Sequence, residues 1–533
     1  MRRPVPPAAS STGGIPVGAL NRVRSLLTVT NVGVGGVLLM FVALTTLYAA
    51  ADRPFFSDES AHTQYGLDVG HGELPTLHDR VTPSIGGMAP TTVYTANHPP
   101  LYYLVIAVPL RLGLMIGHPG VGFHAARLCS MLLSVAALIL TVMLARRLAP
   151  ERPVVAVMAA GVMATVPMFL GVSSAVFNDS MIVLTTVSTL LLTVRMIMDG
   201  GSGRRLAGVS LSALAACAAR ITGVVPAAVG AVGAAFVWWR REPEDPPGRR
   251  VLRGLGIGAV VGAVITAGIS WFYVRNVMLY GDLIGKEVNR TELGYHPADR
   301  GVVDVVFDPN TWHSLLATSY SRPGLVGPVL WRVIEAVATV AALSVGWWLL
   351  CRLTRRTRPS RTSVACWLAC GFVVVATLIL LLYYDTEGGP PNPRYLLPAL
   401  PVVGLLVGCG FGTLPRRVRG PVAAVWLVTA SLVAALLVAR EVAYQSRLDL
   451  SDPWHALAAG LARYIGLERP GPLLAAWAAV FLFGLLSAVG ALLLSGRRAP
   501  APLAVVSVLP TASEAPTGAD NSVGADTVTI NRS

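Results

Sequence analysis

The sequence predicts an all-α polytopic membrane protein, with about twelve transmembrane helices and outer juxtamembrane helices. Three observations carry this. Hydrophobic residues make up 54% of the 533 and charged residues only 13%, against roughly 25% charged in soluble proteins. Mean hydropathy is +0.62. The basic residues are nearly all arginine, Lys286 being the single lysine, and they cluster between apolar runs, as the positive-inside rule requires. The net charge of +14 is therefore a topology signal and argues for no nucleic-acid partner.

Taken in order, residues 1–30 are Pro-, Ala-, Ser- and Gly-rich and are expected to form a disordered cytoplasmic tail. A transmembrane module covers 31–410, with outer loops 52–124 and 274–329. C-terminal transmembrane helices follow over 411–496, and 497–533 is expected to be a second disordered cytoplasmic tail. The first span, at about 32–50, is long enough to cross a bilayer. Small residues Ala49, Ala50 and Ala51 would suit a cleavage site, but the long leader and the many later spans favour a retained anchor.

Charge decides the next assignment. Apolar stretches occur at about 99–116 and 125–145. Were both to span, Arg146, Arg147 and Arg152 would lie outside. The first, with Pro99, Pro100 and Arg111, is therefore expected to be a juxtamembrane or re-entrant helix. Further spans are expected at about 153–174, 181–198, 206–219, 221–239, 254–273, 330–351, 364–384, 395–414, 421–440 and 472–495. Both termini are then cytoplasmic, and most of the 28 acidic residues fall in outer loops. All six cysteines lie in apolar runs without a CxxC pair, which suits small core residues.

The outer loops are thus where polar chemistry is expected. Asp58-Glu59 follows the first span, with His62 four residues on from Asp58 and on the same face if helical. A carboxylate there can take a proton from a hydroxyl or share a divalent cation with a neighbour. The plainer alternative is a loop start, with Ser57 or Asp58 capping a short helix. Asn97-His98-Pro99-Pro100-Leu101-Tyr102-Tyr103 closes the same loop. Asn178-Asp179 lies between two spans, either as a further acid or as a turn with an N-cap.

An acidic pair after the first span, followed by His-Pro-Pro-Leu-Tyr opening a juxtamembrane helix, resembles the GT-C glycosyltransferases. The resemblance is to the branch of protein O-mannosyltransferases and lipid A aminoarabinose transferases. Looser matches are Ala126-Arg127-Leu128, Trp271-Phe272-Tyr273-Val274-Arg275-Asn276, Leu279-Tyr280-Gly281-Asp282 and Pro393-Arg394-Tyr395-Leu396-Leu397-Pro398. It runs over about 30–410 and leaves the later spans unmatched.

This resemblance implies a sugar transferase with a polyprenyl-phosphate-linked donor in the outer leaflet. The acceptor enters from outside and is a cell-wall glycan, a lipid or a protein. Asp58 falls at the family's acidic position, as base or acceptor-positioning group, and Glu59 at the second. His62, His98, Tyr102, Arg275, Tyr280, Lys286, Arg394 and Tyr395 are the expected substrate contacts, the cations neutralising the leaving phosphate. Each has a simpler alternative: arginines snorkelling at helix ends, tyrosines in an interfacial belt. A divalent cation, Mg or Mn, is left open; Asp58, Glu59 and Asp179 are the residues that would hold it. The arginine-for-lysine bias, with much Ala, Gly and Val, suggests a high-GC bacterium, and the expected location is its plasma membrane. A rival reading, a multi-span transporter or lipid-linked-sugar flippase, would place its polar residues within the spans.

Overall fold

The computed structural model describes residues 28–50, 57–82, 92–293, 301–320, 326–354, 359–387, 392–445, 458 and 470–495. Most of the first expected tail and all of the second lie outside these residues. Eighteen α-helices occur in order among the described residues: α1 Val29–Ala49, α2 Ser57–His71, α3 Leu101–Met115, α4 Pro119–Leu148, α5 Pro153–Ala164, α6 Pro167–Ser173, α7 Asp179–Asp199, α8 Gly203–Ala219, α9 Val224–Trp239, α10 Pro247–Tyr280, α11 Lys286–Leu293, α12 Val302–Phe307, α13 Pro309–Tyr320, α14 Pro328–Leu353, α15 Arg361–Thr386, α16 Leu400–Thr413, α17 Arg416–Gln445 and α18 Gly471–Ser495. The described residues contain no strand, only an isolated bridge between Arg80 and Thr92. The all-α, many-span class expected from composition is borne out.

Ten helices among the described residues are long and apolar enough to cross a membrane, or eleven if α5 and α6, bent by 70°, make one span. The expected twelfth, at 206–219, is α8, a helix of 17 residues that carries Arg204 and Arg205 in its first turn. It is shorter than the roughly 20 residues that a bilayer core requires. The 99–116 stretch forms a 15-residue helix, α3, also too short to span unaided.

Packing follows small residues, because lipid offers no hydrophobic drive between helices. Gly404 and Gly408 of α16 let the α5 backbone approach: a Cβ would lie 2.5 Å from the Ala159 carbonyl and 2.7 Å from that of Val155. The first and last spans meet the same way, at Gly36 and Gly484. The largest apolar core joins α1, α4, α5, α7, α16, α17 and α18. A second, smaller core gathers Tyr65, Leu77, Tyr102, Tyr103 and Ile106 around α2 and α3. It seats these two short helices on the bundle. The outward face of α10, by contrast, exposes Leu252, Leu255 and Val274, as a lipid-facing surface does.

Candidate active site

The polar residues meet where helices stop. Six segments converge: the start of α2, the 3₁₀ turn Tyr94–Asn97, the break at Arg220 between α8 and α9, the short helix α11, the end of α15, and the 3₁₀ segment Pro393–Ala399. Between them lies a cavity of about 710 Å³. Asp58, Tyr94, His98, Arg220, Lys286, Arg290, Glu387, Arg394 and Tyr395 all line it.

Local sequence explains the breaks. Arg220 is fully extended, and its amide still bonds back to Ala216. Gly223 then lets the chain fold onto α8, where a Cβ would sit 2.1 Å from the Ala216 carbonyl oxygen. At the other wall Asn392 caps the 3₁₀ segment by accepting the Arg394 amide at 3.0 Å. Pro393 and Pro398 suit that tighter helix, since neither has an N–H to leave unpaired.

At the centre is an alternating chain of charge. Arg394 Nη1 donates to Asp58 Oδ2 at 2.7 Å. Its Nε lies 3.4 Å from Asp179 Oδ2, an ion pair longer than a good hydrogen bond. Asp179 in turn accepts from Arg220 Nη1. The Arg394 guanidinium lies 5.0 Å from the Phe177 ring centre, and that of Arg220 lies 4.9 Å from the Tyr395 ring. Burial pushes the Asp58 carboxyl up, but Arg394, the Tyr94 hydroxyl and His62 together outweigh it, and its pKa falls from 3.8 to about 2. Asp58 is thus ionised throughout the neutral range. Burial and the Asp58 charge keep the Tyr94 phenol protonated, so it donates to Asp58.

The cavity mouth has a second ion-pair group. Glu387 accepts from Lys286 Nζ at 2.6 Å and from Arg290 Nη2 at 2.7 Å, tying α11 to the end of α15. Four cationic side chains therefore line the cavity with two carboxylates. The wall is net positive, with Asp179 buried just behind it.

Of the sequence-predicted residues, Asp58, His98, Lys286, Arg394 and Tyr395 meet at this cavity. The others do not line it. Glu59 is fully buried and takes a two-pronged ion pair from Arg127, Nε to Oε1 and Nη2 to Oε2, both at 2.8 Å. It also accepts the Val176 amide at 2.8 Å. His62 shares a 2.8 Å hydrogen bond with the Tyr103 hydroxyl, and its ring packs against His98 and Phe177. Burial lowers the pKa of His62 and of His98 well below 6.5, so both rings are neutral. Tyr102 is buried on Ser130 at 2.7 Å. Arg275 donates to the carbonyls of Leu74 and Pro75 at 3.0 and 2.7 Å. Tyr280 accepts the Leu77 amide at 3.0 Å.

Asn178-Asp179 departs from the simple N-cap: no side-chain cap bond forms at the start of α7. Asp179 is fully buried between two arginines instead. Arg220, Arg290 and Tyr94 carried no functional expectation from sequence. A lone arginine between two apolar runs was the available signal for Arg220, because a charge at a helix break in a membrane needs a partner.

The carboxylates do not fit a shared divalent cation. No group of three or more His, Cys, Asp or Glu among the described residues is arranged to hold one. Asp58, Glu59 and Asp179 each face a guanidinium, which fills the positions a metal would need.

The family of dolichyl-phosphate-mannose-protein mannosyltransferases has a model that matches residues 97–241. This match agrees with the GT-C resemblance of the sequence. No curated protein matches the chain. Among solved structures, ArnT from Cupriavidus metallidurans bound to undecaprenyl phosphate is 14% identical. The match covers 90% of this chain and 77% of that one, with a TM-score of 0.45. The Archaeoglobus fulgidus oligosaccharyltransferase in complex with Zn and sulfate is 12% identical, with 79% and 57% covered and a TM-score of 0.42. The same organism's oligosaccharyltransferase AglB, with an inhibitory peptide and a dolichol-phosphate, is 13% identical, with 86% and 55% covered and a TM-score of 0.36.

Proposed function

We propose that the protein transfers a sugar from a polyprenyl-phosphate-linked donor to an extracytoplasmic acceptor, in the GT-C manner. The observation that carries this reading is the Asp58–Arg394 pair on the wall of a net-positive cavity. The family matched over 97–241 is one of mannosyltransferases whose donor is a lipid phosphate, which supports the donor class.

In this reading the acceptor hydroxyl hydrogen-bonds to Asp58 and attacks the anomeric carbon. The new C–O bond forms as the bond to the phosphate oxygen breaks, inverting the configuration. The hydroxyl proton passes to Asp58, and polyprenyl phosphate leaves. An aspartate held at a pKa of about 2 is a weak base. The donor phosphate changes this by competing for Arg394: as the guanidinium turns to phosphate oxygens, Asp58 loses the partner that keeps its proton affinity low. Arg220, Lys286 and Arg290 offer further charge for the leaving group.

Glu59 serves as a buried anchor rather than as a second reacting carboxylate. His62, Tyr102, Arg275 and Tyr280 support the walls. The membrane is a bacterial plasma membrane with both termini in the cytoplasm, so the cavity opens outward. A transporter would concentrate its polar groups within the spans, whereas here they collect at helix breaks around one cavity.

The test is transfer by purified protein from a radiolabelled glycosyl polyprenyl phosphate. Wild type should form product and Asp58→Asn should not. Equal product from both would sink the role given to Asp58. Vesicle transport of the lipid-linked sugar without glycosyl product would sink the reading as a whole.

A further inference from the structure

The four cations on the cavity wall are already paired. Arg394 is held by Asp58 and Asp179, Arg220 by Asp179, and Lys286 and Arg290 by Glu387. A phosphate that takes one of these cations therefore competes with a carboxylate. The three carboxylates differ in what release costs. Asp179 is fully buried, and stranding it without its arginines is expensive. Asp58 is engaged by the acceptor hydroxyl in the proposed transfer. Glu387 stands at the cavity mouth with its side chain 26% exposed, so water can take over its charge. Its position is also a poor one for an anion. It is the C-cap of α15, where the helix dipole opposes negative charge. The two cations and the Tyr383 hydroxyl offset that.

The cations are set in place without Glu387. Lys286 and Arg290 are four residues apart on α11 and share a face. Arg290 has a second, looser partner in Glu287 at 3.4 Å. Asp282 fixes the start of the helix: its carboxylate accepts the Ile284 amide at 2.8 Å and the Lys286 amide at 2.9 Å. Asn97 donates to the Ile284 carbonyl at 2.9 Å. Gly285, at φ +62°, makes the turn into α11, and a Cβ there would strike Leu77. If Glu387 turns away, two oriented cations are left facing the cavity.

The charge that reaches them grows during the reaction. A glycosyl phosphodiester carries one negative charge, and the phosphate monoester that leaves carries about 1.5 to 2 at neutral pH. We propose that Glu387 competes with the departing lipid phosphate for Lys286 and Arg290. It yields both cations as the phosphate gains its second charge, and takes them back to expel the product. Glu387 is thus a positioning residue: it touches the cations and not the reacting atoms. This role rests on the transfer reading for the identity of the leaving group.

The experiment titrates undecaprenyl phosphate into the full chain in detergent, with binding read by native mass spectrometry. Glu387→Gln should bind it about tenfold more tightly than wild type. Glu387→Asp, which keeps the charge, should return toward wild type. A carboxylate that merely ties α11 to α15 has the opposite signature, because its loss would loosen the cations and weaken binding. Equal or weaker binding by Glu387→Gln would therefore overturn the proposal. Should that variant not fold, Glu387→Ala makes the same comparison, and tighter binding is again required. In the transfer assay, added undecaprenyl phosphate should inhibit Glu387→Gln about tenfold more strongly than wild type. Tighter binding by Glu387→Gln with no glycosyl product from wild type would sink the transfer reading alone. Product from wild type with no gain in binding would sink the role of Glu387 alone.

Discussion

Arg394 and Asp58 lie 336 residues apart in the chain and meet at 2.7 Å. The contact joins the first juxtamembrane helix to the segment leading into α16, so the cavity wall closes only when both ends of the module have folded. Truncating one partner of such a pair strands the other beside Asp179 and Arg220.

Asp58→Asn keeps the shape and removes the charge. Transfer from a glycosyl polyprenyl phosphate should fall by a factor of at least about 100, the usual worth of a positioned base. The amount of folded protein in membranes should stay close to wild type. A radiolabelled-product assay beside fluorescence-detected size exclusion would separate the two effects.

Arg394→Lys tests the planar fork. A lysine keeps the charge but cannot reach Asp58 and Asp179 with separate nitrogens of one rigid group. KM for the lipid-linked donor should rise about tenfold, with a smaller change in kcat. Steady-state kinetics at saturating acceptor would show the split.

The pH dependence has two windows. Asp58 titrates at about 2 when folded and near 3.8 otherwise. Its contribution to stability is therefore complete above about pH 4 and is lost as pH falls through the folded value. His62 and His98 are held neutral, well below 6.5. The unfolded chain binds their protons first, so stability should begin to fall once pH drops below about 6.5. Thermal unfolding from pH 8 to 4 should slope downward below 6.5, and less so in His62→Gln/His98→Gln.

Breaking the Glu59–Arg127 pair should unfold the outer half of the module before it touches chemistry. Both side chains are fully buried. Arg127→Met leaves the carboxylate without its partner, a loss of about 3–5 kcal/mol for a buried pair. Glu59→Gln/Arg127→Met, with neither charge, should recover part of it. Thermal midpoints of the three proteins give the comparison.

Gly223→Ala introduces a methyl where the Ala216 carbonyl oxygen is 2.1 Å away. The α8–α9 break must open, taking Arg220 away from Asp179. Expected are a lowered unfolding temperature and a loss of transfer similar to that of Arg220→Gln. Unchanged activity would show that the break tolerates side chains.

Asp58 was legible in the sequence because an acid is costly beside a membrane and stands out in a chain this apolar. Glu59 was less so. Adjacent residues point about 100° apart on a helix, and residue type alone says nothing of which one faces the cavity. The structure turns Asp58 inward to Arg394 and Glu59 back into the bundle. Arg220 was hidden for another reason: its partner, Asp179, is 41 residues away, and no local pattern links them. The apolar runs predicted the spans well, since length and hydropathy alone set that requirement. At 206–219 the run forms a helix of only 17 residues, α8, shorter than the length by which the other spans are recognised. Arg275 and Tyr280 carried polar groups on the expected side, but their bonds go to backbone.

Those backbone bonds have a mechanical consequence. α10 is 34 residues long, a rod of about 50 Å. Its tip is lashed to the outer loop at several points. Arg275 holds the carbonyls of Leu74 and Pro75, and Tyr280 holds the Leu77 amide. Asn276 reaches the Asn97 carbonyl at 3.4 Å, and Asn97 reaches that of Ile284 at 2.9 Å. Asn97 stands directly before His98 and three residues after Tyr94. The rod and the ledge carrying the hydroxyl that steadies Asp58 thus form one stiff bracket, and neither can tilt without dragging the other.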